Sequence, residues 1–352
     1  MIKYITCIAV ISGLIFSQQL WAQGIVNAEL NVAPMAVNPA FTGMFNGTTR
    51  VNSFYSNHWA GTNINYVSGG ASVDLPLVTG KGGSYLATGM QLRKDVAGDG
   101  NISNFSGLIS LAYHKIFRKT SDSNNAHAAD LAIGIQAGYD QSSINMSSVF
   151  FGYHWVDPNN YYLPPPGSST EYHLGLGNSV SYYPVNAGIS FAKSFSERFN
   201  LVAGISANNL TQPVRSTDWW QNNQMKTERQ YMGSLGLNIL ATKRLSFRPA
   251  AFYMNSANSH GFIAGNDFSY IVSKNRKPNE STSVFLGLWY RSVDVTMVTA
   301  GITHNRLHLG IAYDYWPHTI NTSGNGSGGL CVNLRYTAPG KILNRVIPGD
   351  RF

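Results

Sequence analysis

The sequence predicts an all-β fold, a transmembrane outer-membrane β-barrel of about fourteen antiparallel strands. Runs of alternating apolar and polar residues recur between residues 49 and 337, turn residues separate the runs, and no long apolar helix interrupts them. In the run 131–139, bulky apolar side chains take every second place and small or polar ones fill the others. Because strand side chains alternate between faces, this pattern suits lipid outside and a filled or wet lumen inside.

Composition and run length favour a membrane barrel over a soluble β-sandwich, which would show the same alternation. Only 12% of the residues are charged, whereas the chain has 35 Gly and 19 Tyr. Low charge with many aromatic rings fits a lipid-facing surface that has aromatic girdles at its two interfaces. The runs are mostly about nine to fourteen residues long, enough for a tilted strand to cross a bilayer, whereas soluble strands average about five or six.

The first residues have the features of a secretory signal peptide. Lys3 supplies a short positive end, the apolar stretch is too short to span a bilayer, and Ala22 is a small residue before the expected cleavage point. Export would leave Cys331 as the single cysteine, so no internal disulfide is expected. The net charge of +8 is spread along the chain without a basic-aromatic module, so no nucleic-acid binding is predicted.

We therefore expect one membrane domain with short extensions. The predicted divisions are a signal peptide at 1–22, an N-terminal segment at 23–48, the β-barrel at 49–337 and a C-terminal tail at 338–352. Clusters of Gly, Asn, Asp, Ser and Pro bound the candidate strands. The strands are predicted near 49–59, 65–76, 84–94, 104–117, 127–139, 178–194, 199–209, 229–241, 245–255, 260–272, 283–291, 295–305, 307–316 and 328–337.

The links between these strands differ in length. Asn305-Arg306 forms a tight link, whereas 141–177 and 211–228 are long. Short turns at one end and long loops at the other are usual in barrels. The long loops are therefore candidates for an outward-facing recognition surface or for a plug folded into the lumen.

Several short motifs carry a resemblance to a known family. Asn38-Pro39-Ala40-Phe41-Thr42-Gly43 precedes the first strand, which is predicted to end at Trp59. The stretch from Gly204 to Pro213, which includes Asn209 and Gln212, and the pair Tyr313-Asp314 follow in the family's order. Together these motifs resemble the PorP/SprF family of outer-membrane proteins of the type IX secretion and gliding machinery, over nearly the whole mature chain.

The resemblance implies a non-enzymatic barrel that assists export or surface attachment of large adhesin-like proteins through protein-protein contacts. The implied partners are outer-membrane lipid, other type IX secretion components, secreted adhesin substrates and periplasmic peptidoglycan-associated proteins. The alternative is a porin-like or hydrophobic-solute transport barrel, which wide polar lumen rings would favour, whereas a lumen filled by loops would favour the scaffold. A barrel phospholipase ranks third, because no Ser/His pair is recognisable.

Two motifs have a structural interpretation as well as a functional one. Asn38 can bond its own backbone, Pro39 presets a turn and Gly43 permits a positive φ, which predicts a turn that plugs or anchors the N-terminal segment. A partner contact is the alternative. For Trp219-Trp220 in a long loop, an interface girdle is the structural interpretation and a binding hot spot is the functional one.

An acidic residue on a transmembrane strand is expected to face the lumen. Alternation places Asp314 on that side, and a buried carboxylate requires a partner. Arg291 and Arg335 lie on the corresponding faces of their strands and are the candidate partners. We predict a structural lumen pair first and a partner site second.

No catalytic, cofactor or metal site is predicted. Asp95, Asp99 and Asn101 lack the spacing and closing Glu of a calcium loop, so a hairpin turn is expected there. His304, His308 and His318 lack zinc-like spacing, and the Gly-rich stretch 324–329 lacks the ending of a phosphate loop. The candidate partner-contact residues are Asn38, Pro39, Phe41, Gly43, Trp59, Asn209, Gln212, Pro213, Trp219, Trp220, Tyr313 and Asp314.

Overall fold

The protein is a closed β-barrel in the computed structural model, which describes part of the chain. The described residues are 33–58, 66–80, 83–98, 102–117, 128–143, 179–214, 226–257, 259–274, 281–292, 295–315 and 328–339. A short helix α1 (Pro34–Val37) and a 3₁₀ turn (Pro39–Phe41) precede fourteen strands. The strands are β1 (Thr49–His58), β2 (Tyr66–Thr79), β3 (Tyr85–Ala97), β4 (Ile102–Phe117), β5 (Ala129–Ser143), β6 (Ser179–Tyr182 with Val185–Ser196), β7 (Phe199–Asn208), β8 (Gln230–Leu240), β9 (Leu245–Ser256), β10 (Ser259–Lys274), β11 (Ser281–Arg291), β12 (Val295–His304), β13 (Leu307–Tyr315) and β14 (Gly328–Ala338).

The sheet closes because its first and last strands pair. Each strand is antiparallel to its sequence neighbours, and β1 pairs with β14 from Thr49 opposite Ala338 to His58 opposite Gly329. Closure pairs both edges of every strand and leaves no open edge for another chain to extend. The predicted fold class is confirmed.

One predicted strand is interrupted. The run 178–194 was expected to be continuous, but regular strand stops after Tyr182 and resumes at Val185. Pro184 lies in the gap, and a proline has no N–H to donate to a ladder. Both segments of β6 nevertheless pair with β5, so together they form one strand of the barrel wall.

The two faces of the wall follow the predicted alternation. Ile133 and Ile135 are 57% and 60% exposed on the outer face, whereas Gly134 between them is buried. The same alternation of exposed apolar and buried small or polar residues runs through β4, β13 and β14. A hydrocarbon environment requires an apolar outer face, and it also requires that every backbone group be paired, as it is in a closed ring of strands.

The two ends of the barrel differ. The chain enters β1 and leaves β14 at one end, the terminal end, which also has the tight turns 197–198 and 305–306. The opposite end, the loop end, has the three longest connections, at 144–178, 209–229 and 316–327. No helix in the described ranges is long and apolar enough to cross a membrane.

The apolar core lies inside the lumen. Residues 33–45, which we call the lumen plug, occupy it and are almost entirely buried. Val37, Phe41 and Met44 of the plug belong to the same apolar cluster as side chains from the barrel wall. The chain segment before the first strand thus takes the place that a second layer has in a sandwich.

Candidate functional site

The predicted turn at Asn38 is present, and it lies inside the barrel. The Ala40 N–H donates to Asn38 Oδ1 at 2.9 Å, which starts the 3₁₀ turn at Pro39. The Asn38 side-chain amide also donates to the carbonyls of Ile189 and Ile205, each at 3.1 Å. One side chain therefore shapes the plug and attaches it to β6 and β7.

A buried ion pair holds the plug at its second turn. Arg50 Nη2 lies 2.8 Å from Asp74 Oδ2, and both side chains are fully buried. Arg50 also donates to the Phe41 carbonyl at 3.2 Å, and the Gly43 N–H donates to Asp74 at 2.7 Å. The pair offsets its desolvation partly through these extra hydrogen bonds, which bind plug backbone rather than plug side chains.

A histidine and a carboxylate hold the neighbouring residue of the plug. His114 Nδ1 lies 2.9 Å from Asp130 Oδ2, and its Nε2 lies 2.8 Å from the Thr42 carbonyl oxygen. Both ring nitrogens of His114 are therefore in hydrogen-bond contact, one with a wall carboxylate and one with plug backbone. The Tyr85 ring stacks on His114 at 4.3 Å and its hydroxyl donates to the Gly43 carbonyl at 3.1 Å.

Glycines in the wall make room for the plug backbone. A Cβ at Gly134 would lie 2.5 Å from the Ala40 nitrogen, and one at Gly204 would lie 2.7 Å from Asn38 Nδ2. Gly43, which has φ +76°, lies against Ala87 in the same way. The sequence pattern places small residues on the lumen face, and the plug is the physical reason for their size.

The plug makes both polar and apolar contacts with the lumen wall. Its backbone is bound by polar side chains of β1–β7, including Ser206, whose hydroxyl donates to the Val37 carbonyl at 2.7 Å. Its apolar side chains belong to a buried cluster that includes Tyr85, Ala87, Ile116, Ala192 and Val202 on β3, β4, β6 and β7 and continues on β8–β14. That cluster includes Met232, Phe252, Ile263, Trp289, Met297, Ala312 and Cys331, all buried. A single segment thus satisfies polar groups of the wall and also belongs to its apolar cluster.

Asp314 faces the lumen as predicted and pairs near the loop end of the barrel. Its Oδ2 lies 3.3 Å from Arg291 Nη2 and 3.5 Å from His58 Nδ1. The structural pair with Arg291 is confirmed, and His58 is a third member that sequence reasoning missed. Tyr313, next in the chain, is half exposed on the outer face.

The base of the long loop 209–229 is well ordered by hydrogen bonds. Asn209 and Gln212 have positive φ angles of 55° and 45°. The Asn209 N–H donates to Asn186 Oδ1 at 3.0 Å, the Thr227 N–H donates to the Pro213 carbonyl at 2.9 Å, and an isolated bridge joins Val214 to Lys226. Three predicted contact residues, Asn209, Gln212 and Pro213, therefore form the stem of this loop.

Other predicted residues have different surroundings. Asp95 was expected in a hairpin turn, but it lies on β3, where it bonds Ser68 and pairs with Arg93 at 3.0 Å. The predicted contact residues Asn38, Pro39, Phe41 and Gly43 lie together in the plug. Asp314 lies near the loop end with Arg291 and His58. Trp59, Trp219, Trp220, Asp99, Asn101 and His318 lie outside the described residues, as do the predicted signal peptide and the tail beyond residue 339.

Sequence reasoning missed the groups that hold the plug. Arg50, Asp74, His114 and Asp130 are charged or ionisable residues on lumen-facing positions of transmembrane strands. Such residues are expensive in a membrane protein unless they are paired, which is the signal that could have identified them. In the described part of the chain, no three His, Cys, Asp or Glu residues are grouped so that they could hold a metal ion.

Comparison with known structures finds other membrane barrels of similar course. The chain is similar to the Ralstonia pickettii toluene transporter TbuX, with 10% identity, a TM-score of 0.47, and coverage of 87% of this chain and 94% of that one. The chain is also similar to the CymD monoaromatic hydrocarbon channel, with 8% identity, a TM-score of 0.46, and coverage of 91% of this chain and 95% of that one. The similarity to CdiB from Escherichia coli has 9% identity, a TM-score of 0.46, and coverage of 81% of this chain and 62% of that one.

Sequence comparison gives a family rather than a characterised relative. Among curated proteins, none matches the chain. The model of the PorP/SprF family, type IX secretion system membrane proteins, matches residues 23–336. That match takes in the plug and nearly the whole closed wall around it, so the chain belongs to the PorP/SprF family of type IX secretion system membrane proteins.

Proposed function

We propose that this barrel is a non-enzymatic scaffold that assists export or surface attachment of large adhesin-like proteins. The observation that carries the proposal is the filled lumen. The backbone of the plug is bound by side chains of β1–β7, and its apolar side chains belong to a buried cluster that extends around the lumen wall. A protein that works by binding needs a rigid wall and exposed loops, and it does not need an open path.

The transport alternative has less support in the same region. A porin-like or hydrophobic-solute barrel needs a continuous path, but lumen-facing side chains of opposite walls, such as His114 and Trp289, are buried.

The proposal also gives roles to the chain's ends and partners. Residues 1–22 would direct export and be removed. Other secretion components and periplasmic peptidoglycan-associated proteins would bind at the terminal end, and secreted substrates would bind at the loop end, because outer-membrane barrels turn their long loops outward.

The first experiment is a gene deletion scored by surface display. Deletion should abolish display or release of one or a few large secreted substrates and leave solute uptake nearly unchanged. Immunoblots of surface and medium fractions measure the substrates, and uptake of a small labelled sugar measures transport. Normal display in the deletion strain would disprove the secretion role, and lost uptake would favour the transport alternative.

A second experiment tests the loop held by Asn209 and Pro213. Binding energy concentrates in a few aromatic or Arg anchors, so Trp219→Ala with Trp220→Ala should reduce partner recovery in a pull-down. Tyr139→Ala with Tyr183→Ala is the matched control, because these rings form another aromatic pair near the loop end, 5.7 Å apart. Equal recovery from both double variants would exclude this loop as the docking surface.

A further inference from the structure

Three tight turns at the terminal end share an arginine in the same position. Arg198, Arg244 and Arg306 each directly precede the first residue of an outgoing strand, which is Phe199, Leu245 or Leu307. We call these three residues the rim arginines. Among the described residues, none of the three forms an ion pair.

The backbone fixes each rim arginine in the same way. The carbonyl of Arg198 accepts from the Leu240 N–H at 2.8 Å, that of Arg244 from Ile271 at 2.8 Å, and that of Arg306 from Thr337 at 3.1 Å. Each bond extends the ladder to the following strand by one residue. The backbone of each rim arginine is therefore hydrogen-bonded to the neighbouring strand, although the residue lies in a turn.

Strand alternation decides which way the rim arginines face. On β7, β9 and β13 the buried lumen-facing residues have even numbers, for example Val202, Phe252 and Ala312. Continuing this alternation places the rim arginines on the lumen side, and their apolar neighbours on the lipid side. Lipid headgroups lie outside the barrel, whereas the rim arginines lie on the lumen side. This orientation favours a ligand that covers the mouth of the barrel.

Further basic side chains lie near the mouth. Just inside it, His308 lies within electrostatic reach of both Arg248 and Arg335. Lys243, next to Arg244, is exposed, and Glu197 is the exposed acid of this group of turns. Because outer-membrane barrels have short turns on the periplasmic side, we place this mouth in the periplasm.

We propose that the rim arginines dock an acidic segment of a periplasmic protein across the mouth of the barrel. Guanidinium groups bind carboxylates in a bidentate geometry, which a fixed backbone makes selective. The three arginines span six strand spacings, about 30 Å along the rim, which roughly nine extended residues would cover. This inference rests on the proposed scaffold role, to which it adds a periplasmic partner of stated chemistry.

The test uses a defined acidic probe. The full chain, in phosphatidylcholine nanodiscs that expose both ends, is titrated with a fluorescent nine-residue polyglutamate peptide, and anisotropy gives the Kd. Arg198→Gln, Arg244→Gln and Arg306→Gln together should weaken binding at least about tenfold at low salt. The matched control is Lys94→Gln, Lys115→Gln and Lys226→Gln, which removes the same charge from exposed positions elsewhere.

The outcomes separate the possible roles of these arginines. A similar loss in the control triple would mean that net charge alone binds the peptide and would overturn the proposal. Unchanged peptide binding in the arginine triple, with less phosphatidylglycerol retained on purification, would show that the arginines face lipid. Heat-modifiable migration checks folding, and the three single variants are measured if the triple variant does not fold.

Failure of this inference can be told from failure of the scaffold role. If the wild-type protein does not bind the peptide but gene deletion still abolishes adhesin display, the docking rim alone is wrong. If binding depends on the rim arginines but deletion leaves display normal, the acidic segment belongs to another process and the adhesin role is wrong.

Discussion

Single residues of the wall bind the plug mainly through its backbone. Arg50, Asp74, His114 and Tyr85 contact carbonyl or N–H groups of residues 41–43, which every amino acid has. Asn38 is the exception, since its own side chain makes the turn and donates to the wall. The plug sequence therefore sets its shape, and wall residues set where it is held.

Removing one partner of the buried pair should release the plug. Arg50→Ala leaves Asp74 buried without its cation, and breaking a buried pair typically costs about 3–5 kcal/mol. Urea unfolding in detergent or lipid measures the loss. Arg93→Ala is the control, because Arg93 pairs with Asp95 in a partly exposed position, where a pair contributes about 0–1 kcal/mol. Equal losses in the two variants would contradict the assigned role of Arg50.

A single methyl group on the wall should also disturb the plug. Gly134→Ala puts its Cβ against the backbone of Pro39 and Ala40, and overpacking costs about 1–3 kcal/mol. Gly233→Ala is the matched control, because a Cβ there meets no atom within 4 Å. Unfolding free energies of the two variants should differ accordingly, and similar values would argue against close packing at Gly134.

For single residues, the sequence predicted turns and the face on which a side chain lies better than it predicted ion-pair partners. The turn at Asn38 follows from local chemistry, because Asn bonds nearby backbone and Pro fixes φ. Asp314 with Arg291 followed from alternation. His58, which joins that pair, reaches Asp314 only because the ring closes and β14 lies between β1 and β13, and no local pattern contains that information. Asp130 and His114 lie on consecutive strands, so their pairing depends on the register between those strands.

At the scale of elements, strand positions were predictable and interruptions were less so. Thirteen of the predicted runs have single strands at nearly the same bounds, because a lipid-facing strand must alternate over its whole length. The run 178–194 was misread as continuous although Pro184 lies in it, since the apolar alternation persists across the break. The use of residues 33–45 as a lumen element could be expected only as one of two interpretations of Asn38-Pro39.

Deleting the plug should open the barrel. Without residues 33–45, the wall side chains that bond plug backbone would lose their partners, and water would enter beside the apolar cluster. Single-channel recording in planar bilayers should then show a larger conductance than for the intact chain. Arg93→Ala, which leaves the plug in place, is the control and should conduct like the wild type. A deletion variant as silent as the wild type would show that other parts of the chain close the lumen.

At the scale of the whole molecule, closure and the apolar outer face define an outer-membrane protein. All strands have two partners, so the hydrogen-bonded ring resists detergent until it is heated. The intact protein should therefore migrate differently on gels before and after boiling. Recovery in a soluble periplasmic fraction would contradict this localisation.

The outer face can be tested independently of the lumen. Arg at Ile133 or Ile135 should cost about 2–4 kcal/mol if these side chains meet lipid near mid-bilayer. Refolding into vesicles with urea titration measures the cost. Leu77→Arg, on an exposed residue close to the terminal end of β2, is the control and should cost less, because the penalty falls toward the interface. Equal costs at both depths would argue against the assigned position in the bilayer.

The seam between β1 and β14 sets an order of assembly. The plug directly precedes β1, and β1 pairs with the last strand from Thr49 to His58. Once that seam has zipped, residues 33–45 could reach their positions only by threading through an end of a finished ring. We therefore expect residues 33–45 to contact the still open sheet before β1 and β14 pair, so that pairing of the final strand encloses the plug.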